Sequence, residues 1–441
     1  MSRKWTPSIY RTHDAQTSAP DVGEIDSLLR AVEVYSGRLR SSPYDHHLWL
    51  GRARCYLALN YPELAVGDAY KAGLLLDEHE DAAGGDMNLT RMHVHSVVSQ
   101  ALYDCHCHCE LVEFWDEVSA AFPSEHASKE AIRMKQLLKQ KKEASYPLGG
   151  TRWEQRDRVR DGGTVTVTYP WMEERHLTRS SALVEKINGE LGDDIEQRSC
   201  TLGRSTLDSR DNMLGMFAAK NIQPGECVLI DRPATGATSS PDDSACGNCY
   251  GFVPSQPISA PCCAVVYCSS ACLDLAMSSY HRLLCGQNFD WLQQPAIGLT
   301  HNASPLRPLL MLRLLAICVQ AGVDKHPLDH SLIARLQPLL DCAHVDVFTF
   351  NESVKTPIKI LQQLGVDVFA AHNLDTMVLH TIWTRLANNK AGSSDPMRGF
   401  IDEISSHLPL FNHSCESNVE WKREDGKHVT RTENPGIVAL V

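Results

Sequence analysis

The segment from Cys246 to Cys285 constrains this chain most strongly, because it holds seven of the sixteen cysteines within forty residues. Thiolate and imidazole are the ligands that zinc prefers, and eight of them complete two tetrahedral sites with no position left open. The spacing therefore predicts two structural zinc ions, with buried free thiols as the alternative. The candidate ligands are one histidine and the seven cysteines, in four close pairs: Cys246 and Cys249, Cys262 and Cys263, Cys268 and Cys272, His281 and Cys285.

The composition limits the cellular compartments and the classes of binding partner that the sequence is compatible with. The 441 residues are 43% hydrophobic, which is enough for two or three packed domains. A net charge of −12 argues against a broad surface for phosphate backbones, so we expect no direct nucleic-acid binding. The N-terminus has no signal-peptide pattern, and Arg307 and Arg313 interrupt the longest apolar run, so we expect no membrane partner. We expect an intracellular protein, nuclear or cytoplasmic, where clustered cysteines favour metal over disulfides.

The N-terminal third has a helical pattern. Within residues 46–77, large and small residues alternate at spacings typical of tetratricopeptide repeats (TPR), in which bulky side chains of one helix pack over alanines of the next. An ordinary helical hairpin is the alternative, and a more degenerate second unit covers 92–121. Fewer than three repeats rarely stand alone, so we expect these helices to dock on the rest of the chain or on a partner. The residues that form the pattern are Trp49, Ala53, Tyr56, Ala65, Ala69 and Ala72.

A second group of cysteines, Cys105, Cys107 and Cys109, alternates with His106 and His108. Successive residues of a helix point in different directions, so at most two of these side chains could reach one ion. We interpret them as ordinary residues of the helical region.

The C-terminal half has the pattern of short strands around a helical block. Strands are expected at 212–219 and 227–230, joined by a turn at Pro224 and Gly225. The helical block covers 305–390, with Ser304 as an N-cap, Pro305 at the first helical position and Asp375 capping a later helix. Strands return at 418–421 and 437–441, with a turn at Asp425 and Gly426. We therefore predict an α+β, multidomain fold.

Two motifs flank the cysteine segment. The string FNHSCESN, 411–418, resembles the Asn-His-Ser-Cys-x-Pro-Asn signature of SET domains, with Ser417 in the place of proline. The string LGMFAAKNIQPGECVLI, 214–230, resembles the strand and Pro-Gly turn at the other end of that domain. Between them, VVYCSSACLDLAMSSYHRLLC, 265–285, resembles the second half of a MYND zinc finger. This order is similar to that of the SET- and MYND-domain protein lysine methyltransferases, in a fungal-type branch with N-terminal TPR-like helices.

The resemblance implies particular site residues. S-adenosylmethionine would be held by Asn412 and His413, by the backbone at Gly215 and Met216, and by Asn389. The first and third ligand pairs would share one zinc ion, and the second and fourth pairs the other. Cys262 and Cys263 are adjacent, whereas the family usually separates this pair by two residues.

The same resemblance implies the reaction and the partners. The substrate would be a lysine-containing protein or peptide, a proline-containing peptide would bind the finger, and the protein would be a monomer. The family's catalytic tyrosine would lie beyond Val441, so the catalytic residue is unknown in this sequence and we expect a truncated chain. The alternative function is a catalytically inactive TPR/MYND scaffold for protein interactions.

The predicted architecture is a TPR-like helical region followed by a small-sheet SET domain that is split by the MYND finger and a helical insert. Its boundaries are a disordered tail at 1–23, TPR-like helices at 24–145, a linker at 146–197, the SET N-terminal part at 198–240, the finger at 246–285, the insert at 286–395, and an incomplete SET C-terminal part at 396–441.

Overall fold

The computed structural model describes residues 22–78, 85–122, 125–145, 164–165, 169–177, 179–191, 199–204, 214–239, 245–293, 306–336, 345–346, 348–395, 399–412, 417–424 and 426–432. The predicted tail (except 22–23), His413, the cap at Ser304 and the strand at 437–441 lie outside these residues. The described chain has helices and small sheets, so the α+β class is confirmed. None of the described helices has both the length and the apolar character of a membrane span.

The helices are α1 (Val22–Ser41), α2 (His46–Ala58), α3 (Pro62–Asp77), α4 (Gly85–Asp104), α5 (His108–Ala121), α6 (Glu125–Ser145), α7 (Glu174–Leu177), α8 (Ser181–Glu190), α9 (Ser270–Ser279), α10 (His281–Leu284), α11 (Arg307–Ala321), α12 (Ser331–Arg335), α13 (Thr356–Gln363) and α14 (Thr376–Asn389). The strands are β1 (Thr164–Val165), β2 (Cys200–Arg204), β3 (Leu214–Ala218), β4 (Cys227–Asp231), β5 (Pro233–Thr238), β6 (Ile258–Ser259), β7 (Val266–Tyr267), β8 (Val345–Asp346), β9 (Lys390–Asp395), β10 (Gly399–Ser405), β11 (Val419–Glu424) and β12 (Lys427–Thr432). A π-helical turn covers Asn351–Lys355, and short 3-10 turns include Pro327–Asp329 and Leu408–Leu410.

The chain divides into two compact units, of which the first comprises residues 1–171, 295–303 and 341–380. In it α1 packs on α2, α2 on α3, α3 on α4, and α5 on α6. The six residues of the predicted large-and-small pattern are all buried, so a packed helical hairpin is confirmed. Its identity as a TPR stays a prediction. The Asp45 side chain caps α2 by accepting from the His47 backbone, and Pro62 begins α3, where no intrahelical N–H is required.

The second unit comprises residues 172–294, 304–340 and 381–441 and holds small antiparallel sheets. One sheet has the order β5-β10-β9, a second has the order β11-β12-β4, and β2 pairs with β3 and β6 with β7. The turn before β4 and the β11–β12 turn occur where they were predicted. Gly225 and Gly426 occupy these turns with φ of +79° and +71°, a left-handed conformation that favours glycine.

The helical block differs in detail from the prediction. Helix α11 begins at Arg307 with Pro308 in its first turn, later than the expected start at Pro305. The block is also not purely helical, since β8 lies within it and β9 follows α14 directly. Asp375 does contact the start of α14, where its carboxylate accepts from the Thr376 backbone N–H at 2.8 Å.

A small apolar core supports the strand that carries Gly215. The side chains of Leu214 and Met216 lie in this core with Leu202 from β2, Ile187 from α8 and Leu410 from the 3-10 turn. Asn188 fixes α8 on β2, since its side-chain oxygen accepts from the Leu202 backbone N–H at 2.7 Å. Because Leu410 is anchored here, the segment that follows it begins beside β3.

Candidate functional site

The first cysteine cluster contains the first and third predicted pairs. The thiols of Cys246, Cys249, Cys268 and Cys272 all lie within 4.8 Å of one another. The sulfur of Cys268 is 3.6 Å from that of Cys249 and 3.6 Å from that of Cys272. Four sulfurs bound to zinc at about 2.3 Å stand roughly 3.8 Å apart, so small shifts would accommodate one ion.

The second cluster contains the second and fourth pairs. The ligand atoms of Cys262, Cys263, His281 and Cys285 again lie within 4.8 Å of one another. His281 Nε2 is 3.2 Å from the Cys262 sulfur and 3.4 Å from the Cys263 sulfur. About 3.6 Å is expected between a nitrogen and a sulfur on one tetrahedral zinc ion. Adjacent cysteines therefore do not prevent their two sulfurs from facing one histidine nitrogen.

Local structure places the ligands. Ser269 caps α9 by accepting from the Cys272 N–H at 3.3 Å, so Cys268 and Cys272 stand one helical turn apart. Helix α9 ends at Ser279 and α10 begins at His281, so the chain from this cap to Cys285 is not one continuous helix. The Cys285 N–H still donates to the His281 carbonyl at 2.8 Å, which keeps those two ligands on one turn.

Two neighbours of the clusters were missed by the sequence analysis. The Tyr267 hydroxyl lies 3.0 Å from His281 Nδ1, the ring nitrogen that does not face the thiols, and such a partner fixes the tautomer of a metal ligand. Arg313 of α11 lies 4.2 Å from the centre of the Tyr280 ring and reaches the Gly247 carbonyl at 3.5 Å. Its charge within an apolar helix was the available signal, since a charge there needs partners from another segment.

The electrostatics of the second cluster suit metal binding. Burial, with a smaller contribution from Arg313, lowers the pKa of His281 and favours the neutral imidazole that a metal requires. Burial also raises the pKa of Tyr267 to about 12, so its hydroxyl stays protonated at neutral pH. All described cysteines are free thiols, which leaves the clustered sulfurs available to an ion. Both clusters could hold zinc.

Two other groups of potential ligands are less suited to a metal. Among the residues described, no convergent set of potential ligands includes the alternating cysteines and histidines at 105–109. His176, His326 and Asp329 do converge, but the two imidazole rings stack 4.4 Å apart at 17°. Nearly parallel stacked rings keep their in-plane lone pairs in two separate parallel planes, which hinders their convergence on one ion, and Arg175 already lies 2.9 Å from the Asp329 carboxylate.

The two SET-like motifs meet at Gly215 and Asn412. A Cβ atom built on Gly215 would collide with the side-chain amide nitrogen of Asn412. Residues almost two hundred positions apart in sequence are thus in direct contact, and only glycine permits this approach without displacing the amide. The contact places the half-buried Asn412 side chain against the buried backbone of β3 at Gly215.

The other predicted cofactor residues have different surroundings. The Met216 side chain is fully buried in the core, so only its backbone could border a ligand. Asn389 ends α14, where it is buried and donates to the Arg385 carbonyl at 2.7 Å. The 3-10 turn Leu408–Leu410 contacts both β3 and β9, which connects the surroundings of Gly215 and Asn389. His413 lies outside the described residues.

Comparison of the chain with protein-family models and with curated proteins gives no match.

Proposed function

We propose that this chain is a SET-type protein lysine methyltransferase that uses S-adenosylmethionine and carries a MYND-like finger with two structural zinc ions. The observation that carries this proposal is the contact between Gly215 and Asn412, because each residue belongs to a separate motif that resembles a cofactor-binding end of a SET domain. The interleaved order of the two cysteine clusters supports it independently.

The chemistry makes specific demands on such a site. S-adenosylmethionine supplies a methyl group on a positive sulfonium. A lysine amine must be neutral to accept that methyl group, although its usual pKa is about 10.4. A dry channel beside a positive charge lowers the lysine pKa, and a bound geometry that aligns amine, methyl and sulfur provides most of the remaining advantage. In this chain, Asn412 and the backbone at Gly215 would bind and orient the cofactor.

Cofactor binding is the direct test. Isothermal titration of the zinc-loaded chain with S-adenosylmethionine should give micromolar affinity. Gly215→Ala should weaken binding at least tenfold, because the new methyl group displaces the Asn412 amide. Asn412→Ala should have a similar effect. Asn288→Ala is the matched control, since Asn288 is exposed in a loop where it bonds Asp290.

Methyl transfer is the second measurement. The chain should be incubated with radiolabelled cofactor and a lysine peptide array. Labelling that depends on Gly215 and Asn412 would support the enzyme. No binding heat at millimolar cofactor would contradict the proposal, whatever the array shows.

A groove beside the first cluster favours a scaffold as the second candidate function. Phe252 and Leu275 are 58% and 39% exposed and line a cavity of about 560 Å³ with Pro254. Exposed aromatic and aliphatic side chains around such a groove suit an extended proline-containing peptide. Peptide binding that is lost in Phe252→Ala, together with no cofactor binding, would favour the scaffold over the enzyme.

A further inference from the structure

Strand β4 ends in a buried carboxylate. Asp231 is the last residue of the strand and its side chain is 3% exposed. Within the described part of the chain, the ion-pair partner of this carboxylate is the partly buried His407, whose Nδ1 atom lies 3.1 Å from one of the two oxygens. A carboxylate is tolerated in such a place only where N–H or O–H donors replace the solvent, so the second oxygen needs donors as well.

Those donors are backbone N–H groups of the segment that leads to Asn412. The second carboxylate oxygen of Asp231 accepts from the His407 N–H at 2.8 Å and from the Leu408 N–H at 2.7 Å. Both N–H groups stand at the start of the 3-10 turn Leu408–Leu410, where the turn itself offers them no acceptor. Asp231 therefore caps this turn from a position 176 residues earlier in the chain.

The effect of the carboxylate extends through the turn. The His407 carbonyl accepts from the Leu410 N–H at 2.9 Å. The Leu408 carbonyl accepts from the N–H of Phe411 at 3.2 Å, and Phe411 directly precedes Asn412. The two residues that the carboxylate binds are thus hydrogen-bonded through both their N–H and their C=O groups, and their position determines the path of the chain up to Asn412.

An apolar contact provides a second point of attachment. Leu410 lies in the core with Leu214 and Met216 of β3. Apolar burial has no preferred direction, whereas hydrogen bonds to backbone N–H groups are directional. The core therefore keeps the turn beside β3, and the carboxylate sets the direction in which the backbone leaves the turn.

We propose that Asp231 is a positioning residue, which holds the turn at 407–410 so that the Asn412 side chain lies against Gly215. For the cofactor, this inference rests on the proposed function. When a binding segment adopts its competent conformation for only a fraction of the time, the apparent affinity falls by that fraction. Loss of the carboxylate should therefore weaken the binding of S-adenosylmethionine through Asn412.

Hydrogen–deuterium exchange tests the turn without any cofactor. In the zinc-loaded chain, peptides that cover 406–412 should exchange slowly. In Asp231→Leu they should exchange roughly tenfold faster, because the His407 and Leu408 N–H groups lose their acceptor. Asp231→Asn should restore slow exchange, since its amide oxygen can accept the same two N–H groups. Unchanged exchange in Asp231→Leu would overturn the proposal, and so would fast exchange in the wild type, which requires no variant to fold.

Calorimetry with S-adenosylmethionine tests the consequence for binding. Asp231→Leu should weaken the affinity about tenfold, whereas Asp231→Asn should remain close to the wild type. Asp68→Asn is the matched control. Asp68 is also a buried carboxylate, but it binds Arg52 in the first unit, so this variant should lower the Tm and leave the affinity unchanged.

A double-mutant cycle separates positioning from a general loss of structure. If Asp231 acts through Asn412, Asp231→Leu should have little further effect on binding in the Asn412→Ala background. Equal losses in both backgrounds would overturn the positioning role. No cofactor binding by the wild type, together with exchange of the turn that depends on Asp231, would contradict the methyltransferase and keep the inference that Asp231 positions Asn412.

Discussion

The two cysteine clusters have the same number of ligands but very different surroundings. In the first cluster Cys246, Cys249 and Cys272 are buried, whereas in the second Cys262 is exposed and only His281 is buried. The difference comes from a distant hairpin. The turn between β11 and β12 covers the first cluster so closely that a Cβ atom on Gly426 would collide with the Cys249 sulfur. The second cluster has Cys262 at the protein surface.

This contrast in burial indicates which zinc ion should contribute more to the stability of the fold. A zinc ion in the first cluster would connect the loop at Cys246 and Cys249 to the residues Cys268 and Cys272. The turn between β11 and β12 already covers this region at Cys249. A zinc ion in the second would connect the loop at 262–263 to α10. Burial limits the access of water and chelators. The two ions should therefore differ in their contribution to the free energy of folding and in their rate of release.

The substitution of a buried candidate ligand should have the largest effect on stability. Cys246→Ser should eliminate the first ion and a large part of the roughly 10–16 kcal/mol that structural zinc can supply to a small domain. Cys262→Ser should eliminate the second ion but should lower the free energy of unfolding much less, because this cluster is accessible to solvent. Zinc content per chain should fall by one ion in each variant, and Tm measures the loss of stability. Equal losses of Tm in the two variants would break the distinction between the clusters.

Metal removal should show two phases. A chelator such as EDTA should take one zinc ion quickly, from the exposed cluster, and the second slowly as the buried cluster opens. The fast phase should disappear in Cys262→Ser and persist in Cys246→Ser. Release followed with a colorimetric zinc indicator gives both rates, and a single phase in the wild type would contradict the burial argument.

Tyr267→Phe should weaken the second ion selectively. The hydroxyl near His281 Nδ1 orients the imidazole, and removal of such a partner typically reduces metal affinity about 10- to 100-fold. Competition with a zinc-buffering dye measures the change. The first cluster should keep its affinity for zinc, and an equal change at both clusters would indicate a general loss of structure in the segment 246–285 instead.

Arg313→Met should have the smallest effect and should act mainly on the first cluster. The Arg313 guanidinium lies near Gly247, between two first-cluster cysteines, but its polar contacts are long at 3.4 and 3.5 Å. We expect less than a tenfold loss of zinc affinity there, because a positive charge near thiolates stabilises them. The same dye competition applies, with exposed Arg282→Met as the control.

The pairs of candidate ligands could be predicted because each pair depends on local spacing. The four pairs and the cap at Ser269 follow from short-range geometry, and the structure brings together the two sets that the resemblance implied. The end of α9 at Ser279 was not predictable in this way, since the pattern from Ser270 to Cys285 is compatible with one helix. The start of α11 was missed by two residues for the same reason.

Long-range contacts leave little signal in the local pattern of residues. Nothing near Gly215 indicates by itself that Asn412 will contact it, and only the resemblance, which assigns both residues to one cofactor site, suggested that they lie close together. The interruption of an apolar run by Arg307 and Arg313 showed that these charges were unusual, but their aromatic partners come from other segments.

Residue chemistry and spacing in the sequence were sufficient to predict the four pairs of candidate ligands, the helical pattern and the turn glycines, because each depends on residues only a few positions apart. Which cluster is covered and which glycine faces an amide depend on packing between remote segments. Burial and charge compensation are properties of that packing, and they decide how strongly each site can bind.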